Sequence, residues 1–305
     1  MIILNKDKPV SVVAKSSMLS PPWGIIYIPQ VYEGGNYSIS WSVTSTVAVG
    51  AIPAGTVLTS GALGGNVTSA DTVETIKDAL VTGIPADTYI ETFSIAANQL
   101  AIKLKAAALP YKPTLTITDY STFDIRAYSL KPSVVDPISN SSDWVTTTSS
   151  YESLPPSAFS DIIFEVSEGY YVRFNGSSYE ETVAPLHSYQ LNKLTMPHEL
   201  RYTVGVGWTF GPVDDYDEYP RRVGDSNSAP MPEFVGKTLN NLFFYRNRLC
   251  FLSNNYVSLS KASQYYDWFP GTSSEVLDDD PIVVYPAALK YSELLWAIPY
   301  NKQLV

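Results

Sequence analysis

The sequence predicts a mainly β protein, with a β-meander or propeller-like part and an additional small β-rich module that contains one helix. Aromatic residues make up 13% of the chain, 22 tyrosines among them, and such residues suit half-buried strands. The 22 prolines and 17 glycines are spread between short apolar runs, as turn formers are in all-β proteins. With 305 residues, 45% of them apolar, the chain can bury a sizeable core.

Residues 1–24 predict a strand hairpin that belongs with the later β part. Ile2–Leu4 and Val10–Val13 are apolar runs that flank the polar turn Asn5–Lys8. Pro21 and Pro22 then break the pattern, because proline cannot donate to a strand ladder.

Residues 25–130 predict a small β-rich module with one helix. Asp71 is expected to cap this helix, with Glu74 three residues later in capping-box spacing. Val73, Ile76, Leu80 and Val81 then fall on one helical face, so the helix is expected over Asp71–Val81. The predicted strands of the module are Ile25–Ile28, Tyr37–Trp41, Thr92–Ile95, Leu100–Leu104 and Thr114–Ile117.

Residues 131–150 predict a surface loop, because Ser139–Ser150 is rich in Ser, Thr, Asn and Asp. Residues 151–305 predict a β-meander, the start of a propeller-like domain. No clean period of about 40–50 residues is visible, so spacing alone does not establish a propeller. The predicted strands are Ile162–Val166, Tyr170–Phe174, Tyr179–Val183, Leu242–Tyr245, Arg248–Leu252 and Tyr256–Ser260, with turns at Asn175-Gly176, Arg246-Asn247 and Asn254-Asn255.

The C-terminal residues predict an unfinished hairpin. Glu293–Pro299 is expected to form a strand, Tyr300–Lys302 a turn, and Gln303–Val305 the start of the returning strand. We therefore expect the chain to be a piece of a longer protein, truncated at its C-terminus.

The charge balance disfavours nucleic-acid and membrane binding. The formal net charge is −10, from 30 acidic and 20 basic residues, and no basic stripe of the kind that grips DNA is visible. The same sign disfavours anionic lipid, and no segment approaches the roughly 18 apolar residues of a membrane span. An acidic surface suits DNA that slides past the protein.

Candidate catalytic and metal-binding residues are few. His187 and His198 are the two histidines, which excludes a three-histidine zinc site, and both are expected on the surface or in loops. Gly224-Asp225-Ser226 is similar to the nucleophile block of one lipase and esterase group, in which the histidine base follows later in the chain. No histidine follows His198, so the sequence argues against this chemistry.

Two acidic clusters have three interpretations: a glycosidase pair, a calcium site or solvated turns. Neither cluster matches a calcium-loop pattern, so solvated turns are favoured. Val204-Gly205-Val206-Gly207 lacks the third glycine of a dinucleotide motif and predicts a bend. The clusters are Asp214, Asp215, Asp217 and Glu218, and then Asp278, Asp279 and Asp280.

The single cysteine, Cys250, lies between Leu249 and Phe251 in a predicted strand. A cysteine in such surroundings usually behaves as a small buried hydrophobe. We expect Cys250 to be buried and chemically quiet.

Residues 154–305 resemble the tail tubular protein B, or nozzle protein, family of short-tailed, autographivirus-type podophages. Before Leu154 the resemblance is faint. Cys250 stands where the family more often has glycine. The segments that carry the resemblance are Pro232–Asn241, Phe243–Ser253, Tyr265–Pro270 and Leu277–Ile282, preceded in the family's order by Leu154–Pro156, Tyr170–Phe174 and Thr195–Leu200.

The resemblance implies a structural subunit of the virion and no enzyme. In this family the subunit forms a six-membered ring below the portal and adaptor, surrounds the lower DNA-ejection channel and docks tail fibres. It implies assembly in the host cytoplasm and passage of DNA without sequence-specific binding. It supplies no catalytic, cofactor-binding or metal-binding residue, and it leaves Arg246 and Arg248 facing water or a neighbouring subunit.

An alternative function is a carbohydrate-binding or glycoside-degrading tail protein. A tyrosine-rich, acidic, β-dominated composition also suits that class. Such an enzyme requires two carboxylates about 5–10 Å apart in an aromatic-lined cleft.

Overall fold

β-Strands dominate the computed structural model, as the composition predicts. The described residues are 1–15, 23–34, 39–44, 58–59, 72–75, 90–104, 114–119, 126–129, 146–147, 154–158, 163–184, 187–286, 293–300 and 303–304. The chain divides into two compact units. The first unit comprises Met1–Ser17 and Glu181–Val305, and the second comprises Met18–Glu180.

Strands and one 3₁₀ helix, Asp214–Glu218, make up most of the regular structure within these described ranges. The strands are β1 Ile2–Ile3, β2 Val12–Ala14, β3 Trp23–Tyr27, β4 Ile39–Thr44, β5 Leu58–Thr59, β6 Ile90–Ala96, β7 Gln99–Leu104, β8 Thr114–Asp119, β9 Arg126–Ser129, β10 Thr146–Thr147, β11 Ile163–Ser167, β12 Tyr170–Phe174, β13 Tyr179–Thr182, β14 Tyr189–Leu191, β15 His198–Thr203, β16 Gly207–Pro212, β17 Asn241–Tyr245, β18 Arg248–Ser253, β19 Tyr256–Leu259, β20 Ile282–Val284, β21 Pro299–Tyr300 and β22 Gln303–Leu304.

The predicted hairpin over residues 1–24 is wrong in its pairing. β1 pairs antiparallel with β15, and β2 pairs antiparallel with β14. The two segments are strand-forming, but each pairs with a strand that lies far along the chain, β1 with residues 198–199 and β2 with residues 189–191. Val10 is buried among residues of the same later segments, so apolar packing outweighs the local turn.

The predicted meander is confirmed and gains a fourth strand. β17, β18, β19 and β20 are neighbours in that order, each pair antiparallel. Arg246 and Asn247 form the two-residue turn between β17 and β18, both with positive φ, as a turn matched to strand twist requires. The sequence does not predict β20, which follows 22 residues after β19.

β18 is the centre of the first unit, because both of its faces are buried. Leu249 and Phe251 belong to the larger core cluster. Cys250 and Leu252 belong to a second cluster on the opposite face, with Leu294 packed against it. A strand buried on both faces explains the continuous apolar run over residues 249–252.

The described residues of the second unit form three sheets. Their strand orders are β6-β7-β3-β9, β5-β4-β8 and β10-β11-β12-β13, the last strand reaching the limit of the first unit. A core cluster joins Ile25 and Ala101 of one sheet to Phe164 and Val172 of another. The buried Gln99 exchanges hydrogen bonds with Ser157, which satisfies its side-chain amide.

Most of the helix predicted over Asp71–Val81 lies outside the described residues. Residues 73–75 are helical. Asp71, the expected cap, lies outside the described residues. The Thr72 hydroxyl accepts from the Thr75 backbone N–H at 3.2 Å, while the Thr75 hydroxyl accepts from the Thr72 N–H at 2.8 Å. This reciprocal pattern is a capping box made of two threonines.

Two further segments differ from the sequence prediction. Thr146–Thr147, expected in a loop, forms β10 and pairs parallel with β11; the rest of Ser139–Ser150 lies outside the described residues. Residues 293–298, expected as a strand, have no regular structure. Asn254 and Asn240 hold this segment through hydrogen bonds to the Leu294 backbone, while β21 and β22 form the predicted terminal hairpin.

Candidate interaction surface

The first acidic cluster lies on the 3₁₀ helix, where Lys193 forms ion pairs with two of its four carboxylates. The Lys193 Nζ is 2.6 Å from Asp214 Oδ1 and 2.6 Å from Asp217 Oδ2. The hydrogen bond from Lys193 lowers the pKa of Asp214. Tyr216 is buried beneath the helix. These contacts favour a solvated turn with a local cation.

The second acidic cluster closes a loop. Asp280 is buried, and its carboxylate accepts hydrogen bonds from the backbone N–H groups of Gly271 at 2.8 Å and Leu277 at 2.9 Å. Lys261 lies 3.4 Å from Asp279. Among the described residues, no group of three or more acidic, histidine or cysteine side chains is arranged to hold a metal ion. The carboxylates of Asp279 and Asp280 are therefore used in the fold.

Arg248 holds the same loop, and the expectation that it faces water or a neighbouring subunit is wrong. Its residue surface is 6% exposed. Nη1 donates to the carbonyls of Ser260 at 2.7 Å and Asp280 at 2.6 Å, and Nη2 donates to that of Asp278 at 2.9 Å. A planar guanidinium with several donors in a fixed geometry can satisfy such a set of carbonyls. Arg246 is exposed.

The structure brings together one pair that sequence order argued against. The Ser226 Oγ lies 3.1 Å from the His187 Nδ1. Asp225 does not orient this imidazole, because its Oδ1 accepts from the backbone N–H groups of Asn227 and Ser228. A serine nucleophile also requires an oriented base and donors for the oxyanion. No carboxylate of the described residues hydrogen-bonds to His187.

The surroundings of His187 indicate a structural contact. Burial lowers the pKa of His187, and the positive charge of Arg221 lowers it further. The Nδ1 of a neutral imidazole can accept a hydrogen bond from the Ser226 hydroxyl group. Arg221 is itself buried, with its Cζ 5.8 Å from the Tyr189 ring centroid and 6.0 Å from that of Phe269. His187 thus links the Gly224–Ser228 loop to the residues just before β14, and the Arg221 Nη1 donates to the His187 carbonyl at 3.4 Å.

Replacing Gly224 by alanine is expected to lower the free energy of unfolding by about 2 kcal/mol. Gly224 has a φ of +63°, and an added Cβ would lie 2.5 Å from Ser228 Oγ and 3.0 Å from Ser273 Cβ. Denaturant unfolding measures the loss, with Gly211→Ala as control because nothing lies within 4 Å of its Cβ position. Equal stabilities of the two variants would contradict this prediction.

Cys250 is buried as expected. Burial raises the pKa of its thiol to about 12, and the thiolate is the reactive form. Native protein at pH 8 is therefore expected to react with a thiol reagent roughly 1000-fold more slowly than unfolded protein. Absorbance-monitored labelling with and without denaturant tests this, and rapid native labelling would contradict it.

His198 lies at the base of a hairpin formed by β15 and β16. Its ring stacks on Phe210 with 5.5 Å between ring centroids, and its Nδ1 is 2.9 Å from the Met196 carbonyl oxygen. Both histidines are half-buried, so the expectation of surface positions is only partly met. Val204–Gly207 forms the bend between the strands, where Gly205 and Gly207 have positive φ.

The outer part of this hairpin exposes an apolar surface, here called the apolar tip. Val204 is 88% exposed and Trp208 67% exposed. No charged residue occurs from Tyr202 to Val213, and the Tyr202 and Trp208 rings meet across the strands at 5.3 Å. The alternation of apolar residues with glycine and threonine is the signal that sequence reasoning missed. The apolar tip comprises Tyr202, Val204, Val206, Trp208 and Phe210.

A second exposed apolar surface consists of β20 and the residue after it, and is called the β20 edge. It comprises Ile282, Val283, Val284 and Tyr285, all exposed. β20 is the last strand of its four-stranded sheet in the described structure. The segment Pro281–Pro286 contains no charge, so no charged side chain blocks strand addition here.

No helix within the described ranges is long and apolar enough to cross a membrane.

Comparison with known proteins finds similarity to phage tail proteins. Residues 1–305 match the family model described as bacteriophage nozzle protein. The tail tubular protein gp12 of Escherichia phage T7 is 30% identical over 165 residues, which are 51% of this chain and 20% of that protein. The match thus spans one fifth of the relative's length.

Proposed function

Because the chain belongs to the bacteriophage nozzle protein family, we propose that it is a ring-forming subunit of a short phage tail. The observation that carries the proposal is the family match over residues 1–305. A structural role in a phage tail follows from the family itself. The ring, its six copies, the contact with an adaptor protein, the docking of tail fibres and assembly in the host cytoplasm are parts of the proposal.

Two features of the first unit support a role in assembly. The apolar tip and the β20 edge leave large apolar side chains exposed, and contiguous exposed apolar surface marks interaction sites. We also propose that β17–β20 is one blade of a propeller, since a four-stranded antiparallel sheet is the unit of that fold. The same proposal divides the chain into the four segments predicted from the sequence, residues 1–24, 25–130, 131–150 and 151–305.

The acidic balance supports a wall along which DNA slides. Duplex binding requires several Lys or Arg contacts to phosphates, whereas the chain has a net charge of −10. Two of its cations, Arg248 and Arg221, are buried. A conduit that gripped the phosphates would slow the passing genome, so acidic residues are expected to outnumber cations on the channel wall.

The free protein is expected to bind duplex DNA with a Kd of about 10⁻⁴ M or weaker at physiological salt. The reason is the shortage of exposed cations that could release counterions from the phosphates. A salt-titrated binding assay measures both the Kd and its salt slope. Micromolar affinity with a steep slope would contradict passive conduction and leave the family membership intact.

The proposed function itself is tested by assembly. The full-length subunit that contains this chain is mixed with its adaptor protein and imaged by electron microscopy. Closed rings coaxial with the adaptor, and restored infectivity when the protein is added to tails that lack it, are the expected results. Particles that show neither ring nor adaptor contact would overturn the proposal.

The carbohydrate alternative gains no support from the carboxylates of the described residues. Asp214 and Asp217 share Lys193, while Asp280 accepts two backbone N–H groups. A glycosidase needs one protonated and one ionised carboxyl group directed at a substrate. These side chains are directed at the protein instead.

A further inference from the structure

We infer that Asn175 is a modification site, at which the turn between β12 and β13 promotes deamidation of the side chain. Asn175-Gly176 opens this turn, which runs from the end of β12 at Phe174 to the start of β13 at Tyr179. Both residues of the pair are exposed, so water reaches the amide. Such a site lies outside the proposed function and does not depend on it.

The chemistry needs only the chain and water. The Gly176 backbone nitrogen attacks the Asn175 Cγ, gives up its proton to water or hydroxide, and closes a succinimide ring. The bond between Cγ and Nδ2 breaks, and the amide nitrogen takes up a proton from solvent and leaves as ammonia. Water then opens one of the two ring carbonyls, which yields aspartate or isoaspartate. Because the two reacting groups belong to neighbouring residues, the attack is intramolecular.

Three donors of the turn polarise the amide that is attacked. The Asn175 Oδ1 accepts from the backbone N–H groups of Ser177 and Ser178, each at 3.0 Å, and from the Ser177 Oγ at 3.0 Å. Negative charge develops on Oδ1 as the Gly176 nitrogen adds to Cγ, and donors already in place stabilise such an oxyanion. The turn is therefore expected to accelerate the reaction.

The attacking nitrogen is unobstructed. Gly176 has a φ of +103°, and nothing lies within 4 Å of the position that a Cβ would occupy. Glycine adopts this conformation readily and places no side chain beside the reacting atoms. The Asn175 N–H donates to the Ser178 carbonyl, while Ser177 and Ser178 donate to the amide. None of these hydrogen bonds uses the Gly176 N–H.

Glu180 fixes the orientation of the amide. Its Oε2 accepts from the Asn175 Nδ2 at 3.3 Å, and its Oε1 accepts from the Arg173 Nε at 2.9 Å. This contact holds Nδ2 towards the carboxylate and leaves Oδ1 with the three donors. After conversion, the Glu180 carboxylate faces a second negative charge in place of a donor, and like charges at this distance repel.

The conversion is expected to loosen the start of β13. Isoaspartate adds one methylene group to the backbone of the turn, directly before this strand. The Tyr179 ring packs against the Phe164 ring with 5.9 Å between centroids and against the Phe174 ring with 5.3 Å. These residues belong to a core cluster of the second unit. A longer turn displaces Tyr179 along its strand and disturbs this packing.

The first test follows Asn175 over time. The purified chain is incubated at neutral pH, and peptide mapping by mass spectrometry measures the mass change of an amide converted into an acid, with isoaspartate separated by chromatography. We expect Asn175 to convert at least about threefold faster in the folded chain than in the chain unfolded in urea. Asn254 also lies in an exposed turn but precedes Asn255, whose side chain hinders the attack, and it should remain an amide.

The second test compares two serine variants of the folded chain. Ser177→Ala removes one of the three donors and is expected to slow the conversion at least about threefold. Ser178→Ala is the matched control, because Ser178 donates through its backbone N–H and the variant keeps all three donors. Circular dichroism confirms that both variants keep the fold. A folded chain that converts no faster than the unfolded chain, or equal rates for the two variants, would overturn the inference and leave the proposed function standing.

Discussion

Replacing Arg248 by methionine is expected to lower the free energy of unfolding of the first unit by about 4 kcal/mol. The substitution keeps an unbranched apolar stem and removes the donors that bind the carbonyls of Ser260, Asp278 and Asp280. The hydrogen bonds to Ser260 and Asp280 are buried and the one to Asp278 is partly buried. Buried acceptors that lose a charged donor cost more than a typical hydrogen bond returns. Guanidinium unfolding measures the change.

Arg246→Met is the matched control for this substitution. Arg246 lies two residues earlier, is exposed, and forms the turn into the same strand. Its replacement removes one guanidinium and is expected to change stability by less than about 0.5 kcal/mol. Arg248→Lys should keep part of the stability, because an ammonium reaches one or two carbonyls but lacks the planar fork. Similar stabilities of the methionine variants would contradict the proposed role of Arg248.

The sequence could predict the meander but not the role of Arg248. Alternating apolar runs and the Arg246-Asn247 turn are local features, and the strands and turn follow from them. The partners of Arg248 lie 12 to 32 residues later, and they are backbone carbonyls, which every residue possesses. No residue pattern marks them, so an arginine in a strand is reasonably expected to face water.

The contact between Ser226 and His187 was not predicted from the order of residues along the chain. The argument against serine–histidine chemistry relied on the residue order of one enzyme group and did not consider that His187 could reach Ser226, which it does beside a bridge between Val183 and Gly224. The contact brings no orienting carboxylate with it among the described residues. The spatial pair was therefore missed by an argument from chain order alone.

The first residues show the same limitation of local patterns. Ile2–Leu4 and Val10–Val13 fit a hairpin by spacing, yet β1 and β2 pair with β15 and β14. A hairpin of two short strands is marginal by itself, whereas pairing with later strands also buries Val10 in the main core. The apolar tip was overlooked because a propensity for strands does not tell which strands leave both faces in water.

Replacing Phe251 by alanine is expected to cost about 3–5 kcal/mol of unfolding free energy. Phe251 is fully buried on the central strand β18. Its ring stacks on Trp268 with 4.5 Å between centroids and meets Phe234 edge to face at 5.4 Å. Truncation removes the apolar surface of one ring and leaves a cavity that two rigid aromatic neighbours cannot easily fill.

Phe244→Ala distinguishes the loss of core packing from the loss of an aromatic residue as such. Phe244 lies on the adjacent strand β17, is half exposed, and contacts Tyr265 edge to face at 5.3 Å. Its truncation is expected to cost about 1 kcal/mol, because little apolar surface is taken from a dry environment. Hydrogen exchange of the β18 amides should accelerate in Phe251→Ala and stay near the wild-type rate in Phe244→Ala. Equal costs would mean that the cluster of Phe234, Phe251 and Trp268 contributes no more than the surface pair, and the two-sided burial of β18 would not be the main source of stability in this unit.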